Sequence, residues 1–142
     1  MTELEILEMR DKATAVGLLG YKLLYSLPLE KLTEVCNGIG ASFFPPVLRK
    51  LLDRLNPCLR HAAMIHDVRY YLGDGTLKDF SSANSDFAKN GETMARLMYQ
   101  WYDIRRYWYI RKARRYARLC QRFGWYAYLS AIDENERRDI DQ

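Results

Sequence analysis

Glycine and proline, the residues that interrupt regular secondary structure, occupy few positions in this chain. Among 142 residues there are eight Gly and four Pro, so long stretches run without a break. No segment of strand length alternates apolar and polar residues, the pattern expected of a half-buried strand. With 49% hydrophobic residues, a chain of this length has the apolar side chains for one core and too few residues for two domains. The sequence therefore predicts a single all-α domain.

The amino-terminal part is predicted to form two helices and a loop. Thr2, with Glu5 three residues later, forms a capping box that begins a helix running toward Ser26. Pro28 begins a short second helix. It ends where two glycines and a Pro-Pro pair predict a structured loop over residues 37–46.

Two further helices and a long basic one are predicted after this loop. Pro57 fits as an early residue of the first, which Gly73-Asp74-Gly75 ends, and Ser81 or Ser82 caps the second. The charged carboxyl terminus is expected to fray. The predicted division of the domain is N-terminal helices at 1–35, a two-helix core at 36–103, a basic aromatic helix at 104–130 and a charged tail at 131–142.

The pair His66-Asp67, followed by Tyr70, is the most informative motif of the chain. In a helix of about 3.6 residues per turn, residues four apart share a face and neighbours diverge by roughly 100°. His66 and Tyr70 therefore face one way and Asp67 another, which suits an imidazole that transfers protons beside a carboxylate with a separate role. A base needs its second ring nitrogen held by an acceptor, and Asn84 and Asp86 are the two candidates. Alternatively, all of these are ordinary core side chains.

Asp67 is a candidate ligand of a hard cation such as calcium. Calcium takes about six to eight oxygen ligands, so one carboxylate needs backbone carbonyls beside it. Glycines let a loop turn several carbonyls toward one point, and the candidates are the carbonyls of Asn37, Gly38 and Gly40. The alternative is that the same residues form a helix C-cap and a turn without a metal.

Three motifs follow one another in a fixed order along the chain. They are Gly40-Ala41-Ser42-Phe43-Phe44-Pro45, then Ala62-Ala63-Met64-Ile65-His66-Asp67-Val68-Arg69-Tyr70, then Ala83-Asn84-Ser85-Asp86-Phe87. This order resembles the phospholipase A2 fold, especially its short, disulfide-poor forms in bacteria and in parvoviral capsid proteins. It is also similar to a phage and prophage group with G-A-S-x-P, A-A-x-x-H-D-x-x-Y and A-D-x-x-F. The resemblance covers roughly residues 36–87.

The resemblance implies an antiparallel helix pair and a specific chemistry. His66 would be the general base that takes a proton from water, which attacks the sn-2 ester carbonyl of a glycerophospholipid without an acyl-enzyme. Asp67 and the carbonyls of the glycine loop would hold calcium, which would polarise that carbonyl. Tyr70 would join the network that holds the imidazole, together with the carboxylate of the third motif.

The chain departs from the family pattern in the third motif, where the family's Asp falls on Asn84. Asn84 and Phe87 share a helix face, so if Phe87 packs toward the His66 helix, Asp86 points roughly 100° away from it. Asn84 is therefore the expected partner of His66. An amide oxygen fixes the imidazole tautomer but does not stabilise imidazolium as a carboxylate does. Two functions follow: a calcium-dependent lipid ester hydrolase, or a weak or inactive phage-type structural or partner-binding protein of the same fold.

A second feature is the concentration of positive charge from Arg105 to Arg122. The cations are Arg105, Arg106, Arg111, Lys112, Arg114, Arg115, Arg118 and Arg122, and no acid occurs from Ile104 to Ser130. Because the whole chain is +4, the remainder carries a net charge of −4. Aromatic residues such as Trp108 lie between these cations. The segment is expected to contact an anionic membrane surface, or to bind nucleic acid, or to be a helix with solvated arginines and buried aromatics.

The remaining observations bear on location and metal chemistry. The amino terminus carries acids where a secretory signal has Lys or Arg, and the most apolar stretch, Ala15–Leu27, is too short to span a bilayer. Cys36, Cys58 and Cys120 lack the CxxC spacing of zinc and redox sites. These features predict a cytoplasmic protein without a signal peptide or a transmembrane helix, and the resemblance to viral and phage proteins implies virion association as the alternative.

Overall fold

The computed structural model describes residues 2–38 and 58–141, and within these ranges it contains helices and no strands. The helices are α1 (Glu3–Val16), a 3₁₀ helix (Tyr21–Tyr25), α2 (Leu29–Gly38), α3 (Arg60–Tyr71), α4 (Leu77–Met98), α5 (Ile104–Phe123) and α6 (Trp125–Ile140). They pack around a shared hydrophobic core, so the prediction of an all-α single domain is confirmed. None of these helices is long and apolar enough to cross a membrane. Pro57 and Gly40, with the rest of the predicted loop beyond Gly38, lie outside the described residues.

Helix α3 is the centre of the domain. It packs against α1, the 3₁₀ helix, α2, α4 and α6. Its buried side chains include Met64, Ile65, Val68 and Tyr71, which leaves only part of its surface to solvent. A helix enclosed in this way holds its polar side chains in a fixed environment, which matters for His66.

Helices α3, α4 and α5 form two successive antiparallel pairs. Side chains near the end of α3 meet side chains near the start of α4, as in the ring contact of Tyr70 with Phe80. Helices α4 and α5 approach closely at Gly91, where an added Cβ would lie 2.6 Å from the Ala113 Cβ and 2.9 Å from Leu59 Cδ2. The absence of a side chain at residue 91 therefore sets the distance between α4 and α5.

A buried amide attaches the amino-terminal segment to α4. The Asn90 side chain accepts a hydrogen bond from the Leu19 backbone N–H at 2.8 Å and donates one to the Leu19 carbonyl at 2.9 Å. Asn90 is buried, so both of its polar atoms find partners without water. The segment between α1 and the 3₁₀ helix is thereby fixed to the core.

The predicted end of the first helix is wrong. The capping box of Thr2 and Glu5 is present, but α1 ends at Val16 instead of continuing toward Ser26. Gly17 there takes a left-handed conformation, with φ of 75°, and its N–H bonds back to α1 carbonyls.

The cap of α4 also differs from the prediction. Neither Ser81 nor Ser82 caps this helix, since both lie inside it. Thr76 is the N-cap, and its hydroxyl accepts the Asp79 backbone N–H at 3.1 Å. The Asp74 side chain in turn accepts the backbone N–H and the hydroxyl of Thr76, so the whole turn is ordered by short side chains.

The expected single basic helix over 104–130 is two helices. It breaks at Gly124, where an added Cβ would lie 2.5 Å from the Cys120 carbonyl oxygen and 3.0 Å from the Tyr70 hydroxyl. The expected frayed tail is also wrong, because α6 continues to Ile140. Buried Tyr128 belongs to the core, and Asn135 donates to the Tyr71 carbonyl at 3.3 Å. These contacts provide the tertiary support that a charged tail lacks on its own.

Candidate functional site

His66 and Asn84 meet between α3 and α4. His66 is 9% exposed, and its Nε2 lies 2.8 Å from the Asn84 Oδ1. An amide oxygen only accepts hydrogen bonds, so Nε2 is the donor in this pair. The neutral imidazole therefore carries its proton on Nε2 and its lone pair on Nδ1.

Tyr70, one helical turn after His66, also binds the Asn84 Oδ1. Its hydroxyl donates to Asn84 Oδ1 at 2.7 Å, and the His66 and Tyr70 rings pack with centroids 4.1 Å apart. The prediction that His66 and Tyr70 share a face of one helix is confirmed. Two donors on one acceptor fix the amide orientation, and with it the imidazole tautomer.

The network continues to α5 through residues that the motifs did not indicate. The Asn84 Nδ2 donates to Gln121 Oε1 at 2.9 Å, and Gln121 Nε2 donates to the Ser81 hydroxyl at 2.9 Å. Gln121 lies in the basic segment, far from the motifs along the sequence, and nothing in its surroundings marks it as a partner of Asn84. Three helices therefore share one polar network centred on Asn84.

Burial controls the protonation of His66. Desolvation is the main cause that lowers the pKa of His66 to about 4, and the positive charge of the nearby Arg69 lowers it further. The hydrogen bond to Asn84 acts in the opposite direction and raises the pKa. The ring also packs edge-on against Phe87, with centroids 5.3 Å apart. At neutral pH the imidazole is therefore uncharged and able to accept a proton at Nδ1.

Asp86 belongs to a different cluster. It pairs with the Arg69 guanidinium, which also reaches Ser82 at 3.2 Å and Asp79 at 3.7 Å. Asn84 faces His66, as the helical spacing relative to Phe87 predicted. The structure therefore places Asp86 in an ion pair that joins α3 to α4, and not beside the imidazole.

The candidate calcium ligands are not brought together by the described residues. Asn37 and Gly38 are the last residues of α2, Gly40 lies outside the described ranges, and Asp67 is a partly exposed side chain of α3. Burial raises the pKa of the Cys120 thiol on α5 to about 11, and the charge of Asp67 adds to that rise. Over residues 2–38 and 58–141, no group of three His, Cys, Asp or Glu side chains is arranged to hold a metal. Calcium needs several oxygens beside the Asp67 carboxylate, and the described acidic, His and Cys side chains form no group that supplies them.

A groove of about 500 Å³ runs between α4 and α5 beside this network. Its walls are Ser81, Asn84, Ser85, Ala88, Arg114, Ala117, Arg118 and Gln121. The small side chains of Ala88 and Ala117 make room for it, and Arg114 and Arg118 are exposed on the α5 side.

The predicted basic contact residues of α5 lie mainly on its outer face. Arg111, Arg115, Arg118 and Arg122 are exposed and form no ion pair with any described residue. Three others are engaged, in two ion pairs and one cation–π contact: Arg105 with Asp103, Arg114 with Glu92, and Lys112 over the exposed Trp108 ring. Arg106 is partly buried, and its Nε has no hydrogen-bond partner. The face is therefore strongly basic, as the sequence predicted.

Scans against protein-family models, curated proteins and solved structures each returned no match to this chain. A function must therefore be inferred from the geometry of the site itself.

Proposed function

We propose that this protein is a lipid ester hydrolase of phospholipase A2-like type, with His66 as its general base. The observation that carries the proposal is the shared acceptor, Asn84 Oδ1, which binds both His66 Nε2 and the Tyr70 hydroxyl. This arrangement assigns the proton to Nε2 and the lone pair to Nδ1. A base needs that preset tautomer, because only one ring nitrogen can face a reacting water.

The reaction proceeds by attack of water. His66 Nδ1 takes a proton from a water molecule while the water oxygen bonds to the ester carbonyl carbon. The tetrahedral intermediate then collapses and breaks the carbon–oxygen bond to the alcohol. The imidazolium returns its proton to that alcohol oxygen, and the free fatty acid leaves. His66 ends neutral, and no bond forms between the protein and the acyl group.

The same geometry predicts slow turnover. Asn84 is neutral, so the imidazolium formed during attack lacks a carboxylate to stabilise it. A pKa of about 4 also makes His66 a weak base. No step is assigned to calcium, because the described residues contain no group of acidic, His or Cys side chains that could hold a metal.

Hydrolysis is tested with mixed phospholipid vesicles. Fatty-acid release is measured with calcium and with a chelator, for the wild-type protein, for His66→Ala and for the control His61→Ala. His61 lies on the same helix and has no bond to Asn84. We expect release by the wild type and by His61→Ala, and none by His66→Ala. Equal background rates in all samples would contradict the proposal, and loss of release in chelator alone would assign calcium a role.

A second candidate is a non-enzymatic phage-type protein with a structural or partner-binding role. The continuous hydrogen-bond network from Ser81 through Gln121 and Asn84 to His66 favours it, since a fully bonded buried network also serves to fix helix positions. In this case His66→Ala lowers the free energy of unfolding, and the wild type releases no fatty acid.

A further inference from the structure

The turn between α4 and α5 exposes an unusual number of large apolar side chains. This region, residues 97–108, is named the α4–α5 tip. Its exposed apolar residues are Leu97, Met98, Trp101, Tyr102, Ile104, Tyr107 and Trp108. Ile104 is 81% exposed, Tyr102 72% and Trp101 71%. Large exposed apolar side chains concentrated in one turn are typical of an interaction site.

The tip is held in shape by local contacts. Asp103 caps α5 through the Arg105 backbone N–H, and the Tyr107 hydroxyl donates to the Trp101 carbonyl at 2.8 Å. Tyr99 stacks on Tyr109 with centroids 5.4 Å apart, which fixes the end of α4 against α5. The exposed rings are thus presented by an ordered turn.

Cations surround the apolar residues. Between residues 97 and 112 the chain has four cations, Arg105, Arg106, Arg111 and Lys112, and one acid, Asp103. The Arg105 guanidinium lies 4.9 Å from the Tyr99 ring centroid, and the Lys112 ammonium 4.5 Å from that of Trp108. The tip therefore presents apolar and positively charged groups side by side.

We propose that the α4–α5 tip docks on the surface of an anionic phospholipid bilayer. Trp and Tyr rings favour the headgroup level, and basic residues favour anionic lipids. Ile104 and Leu97 would enter the acyl boundary, where burial of aliphatic surface is favourable. Ile104, the most exposed residue of the tip, has no ring to stack on a base, so binding of nucleic acid would leave it unused.

The proposal does not depend on hydrolysis. Asn84, the partner of His66, lies in the amino-terminal half of α4, whereas the tip begins at the carboxyl end of that helix, so the tip can hold the protein on a membrane whether or not His66 acts as a base. Binding and fatty-acid release are measured separately on the same vesicles. Binding without release would contradict the proposed function and leave the docking inference standing.

The test compares two double variants that are matched in chemistry and exposure. Tyr102→Ser with Ile104→Ser changes the tip, and Tyr126→Ser with Ile140→Ser changes α6. Tyr126 is 74% exposed and Ile140 83%, so both pairs lose similar exposed surface. Binding is measured by co-sedimentation with phosphatidylcholine vesicles with and without about 30% phosphatidylserine, and by the shift of Trp emission.

We expect the wild type and the α6 variant to bind the anionic vesicles equally, and the tip variant to bind them about tenfold or more weakly. Binding is expected to weaken as salt is raised and to be poor on pure phosphatidylcholine. Equal binding by the two variants would overturn the inference, as would binding to a labelled single-stranded oligonucleotide without binding to vesicles. A dimer in sedimentation velocity that dissociates in the tip variant would instead assign the tip to a second copy of the chain.

Discussion

At the scale of single residues, Asn84 determines what His66 can do. Its oxygen fixes the imidazole tautomer through a 2.8 Å bond, yet its neutral amide adds no negative charge beside the ring. Residue spacing predicted the shared face of His66 and Tyr70, and the pairing with Asn84 followed from the third motif together with the expectation that Phe87 packs toward the His66 helix. Gln121 was not predictable, because its bond to Asn84 depends on how α5 crosses α4 and leaves no local pattern.

Replacing Asn84 with Asp should make His66 a stronger base. A carboxylate at the same place stabilises the imidazolium, so the pKa of His66 rises from about 4. If His66 is the general base, fatty-acid release should increase by about tenfold or more, since removing such a carboxylate from a serine-protease triad costs about 10⁴ in rate. The pKa is measured by NMR titration of the ring.

Ser85→Asp is the matched control for this change. Ser85 is exposed and adjacent to Asn84 on α4, so the variant adds the same charge without a bond to the ring. It should leave the pKa of His66 close to wild type. A similar pKa rise in the two variants would mean that general electrostatics, and not the Asn84 contact, governs the imidazole.

The buried imidazole should make stability fall as the solution is acidified. Its pKa is about 4 in the folded protein and 6.5 in its ordinary range, so between these values the unfolded chain binds a proton that the folded chain does not. The free energy of unfolding is therefore highest above pH 6.5 and falls progressively toward pH 4, by an amount on the order of 3 kcal/mol. Urea unfolding at several pH values from 7 to 5 measures this fall, because most carboxylates titrate below that range.

His66→Gln should remove most of this pH dependence. His61 contributes in the same direction, because burial also lowers its pKa, and His61→Gln measures that part separately. An unchanged slope of unfolding free energy against pH in His66→Gln would show that His66 is not buried as a neutral ring.

At the scale of elements, helix limits set by local interactions were easier to predict than limits set by tertiary contacts. The capping box at Thr2 is a local interaction, so the sequence shows it directly. The break at Gly124 and the continuation of α6 through a charged tail depend on neighbours instead. Gly124 lies against Tyr70, and α6 is supported by Tyr128 in the core, contacts between residues far apart in sequence.

The close approach of α4 and α5 gives a test at this scale. Gly91→Ala should lower the free energy of unfolding by about 1–3 kcal/mol, because the new methyl overlaps the Ala113 Cβ. In an exposed helix the same change is stabilising by about 1 kcal/mol. Urea unfolding measures the difference.

The exchange of the two residues supplies the control. Gly91→Ala combined with Ala113→Gly moves the methyl from α5 to α4 and should recover part of the loss. Stabilisation by Gly91→Ala alone would mean that the helices separate more easily than their packing indicates.

At the scale of the whole molecule, charge is divided between one helix and the rest. The segment 105–122 carries eight cations while the remainder of the chain has a net charge of −4, and the two parts meet in few ion pairs within the described ranges. Arg115 has Arg111, Lys112 and Arg118 at helical spacings of three or four residues, where like charges repel.

Arg115→Gln should therefore raise the melting temperature at low salt by about 2–4 °C, because it removes three repulsive pairs of a few tenths of a kcal/mol each. The gain should disappear at an ionic strength of about 0.5 M, where screening is strong. Arg96→Gln is the contrasting variant, since Arg96 pairs with Glu92 at 2.9 Å and its loss should be slightly destabilising at low salt. A fall in melting temperature for Arg115→Gln would reveal an attractive partner for this side chain.

The attachment of Leu19 to Asn90 has a consequence for how this chain can vary. Asn90 hydrogen-bonds to the backbone N–H and carbonyl of Leu19, and residue Leu19 is 44% exposed. Almost any residue that keeps its backbone N–H can therefore occupy position 19. Position 90 has no such freedom, because Asp lacks the donor and Gln adds a methylene to a closed space. Position 19 can therefore change during evolution without loss of this contact, whereas position 90 must remain Asn for the same contact to persist.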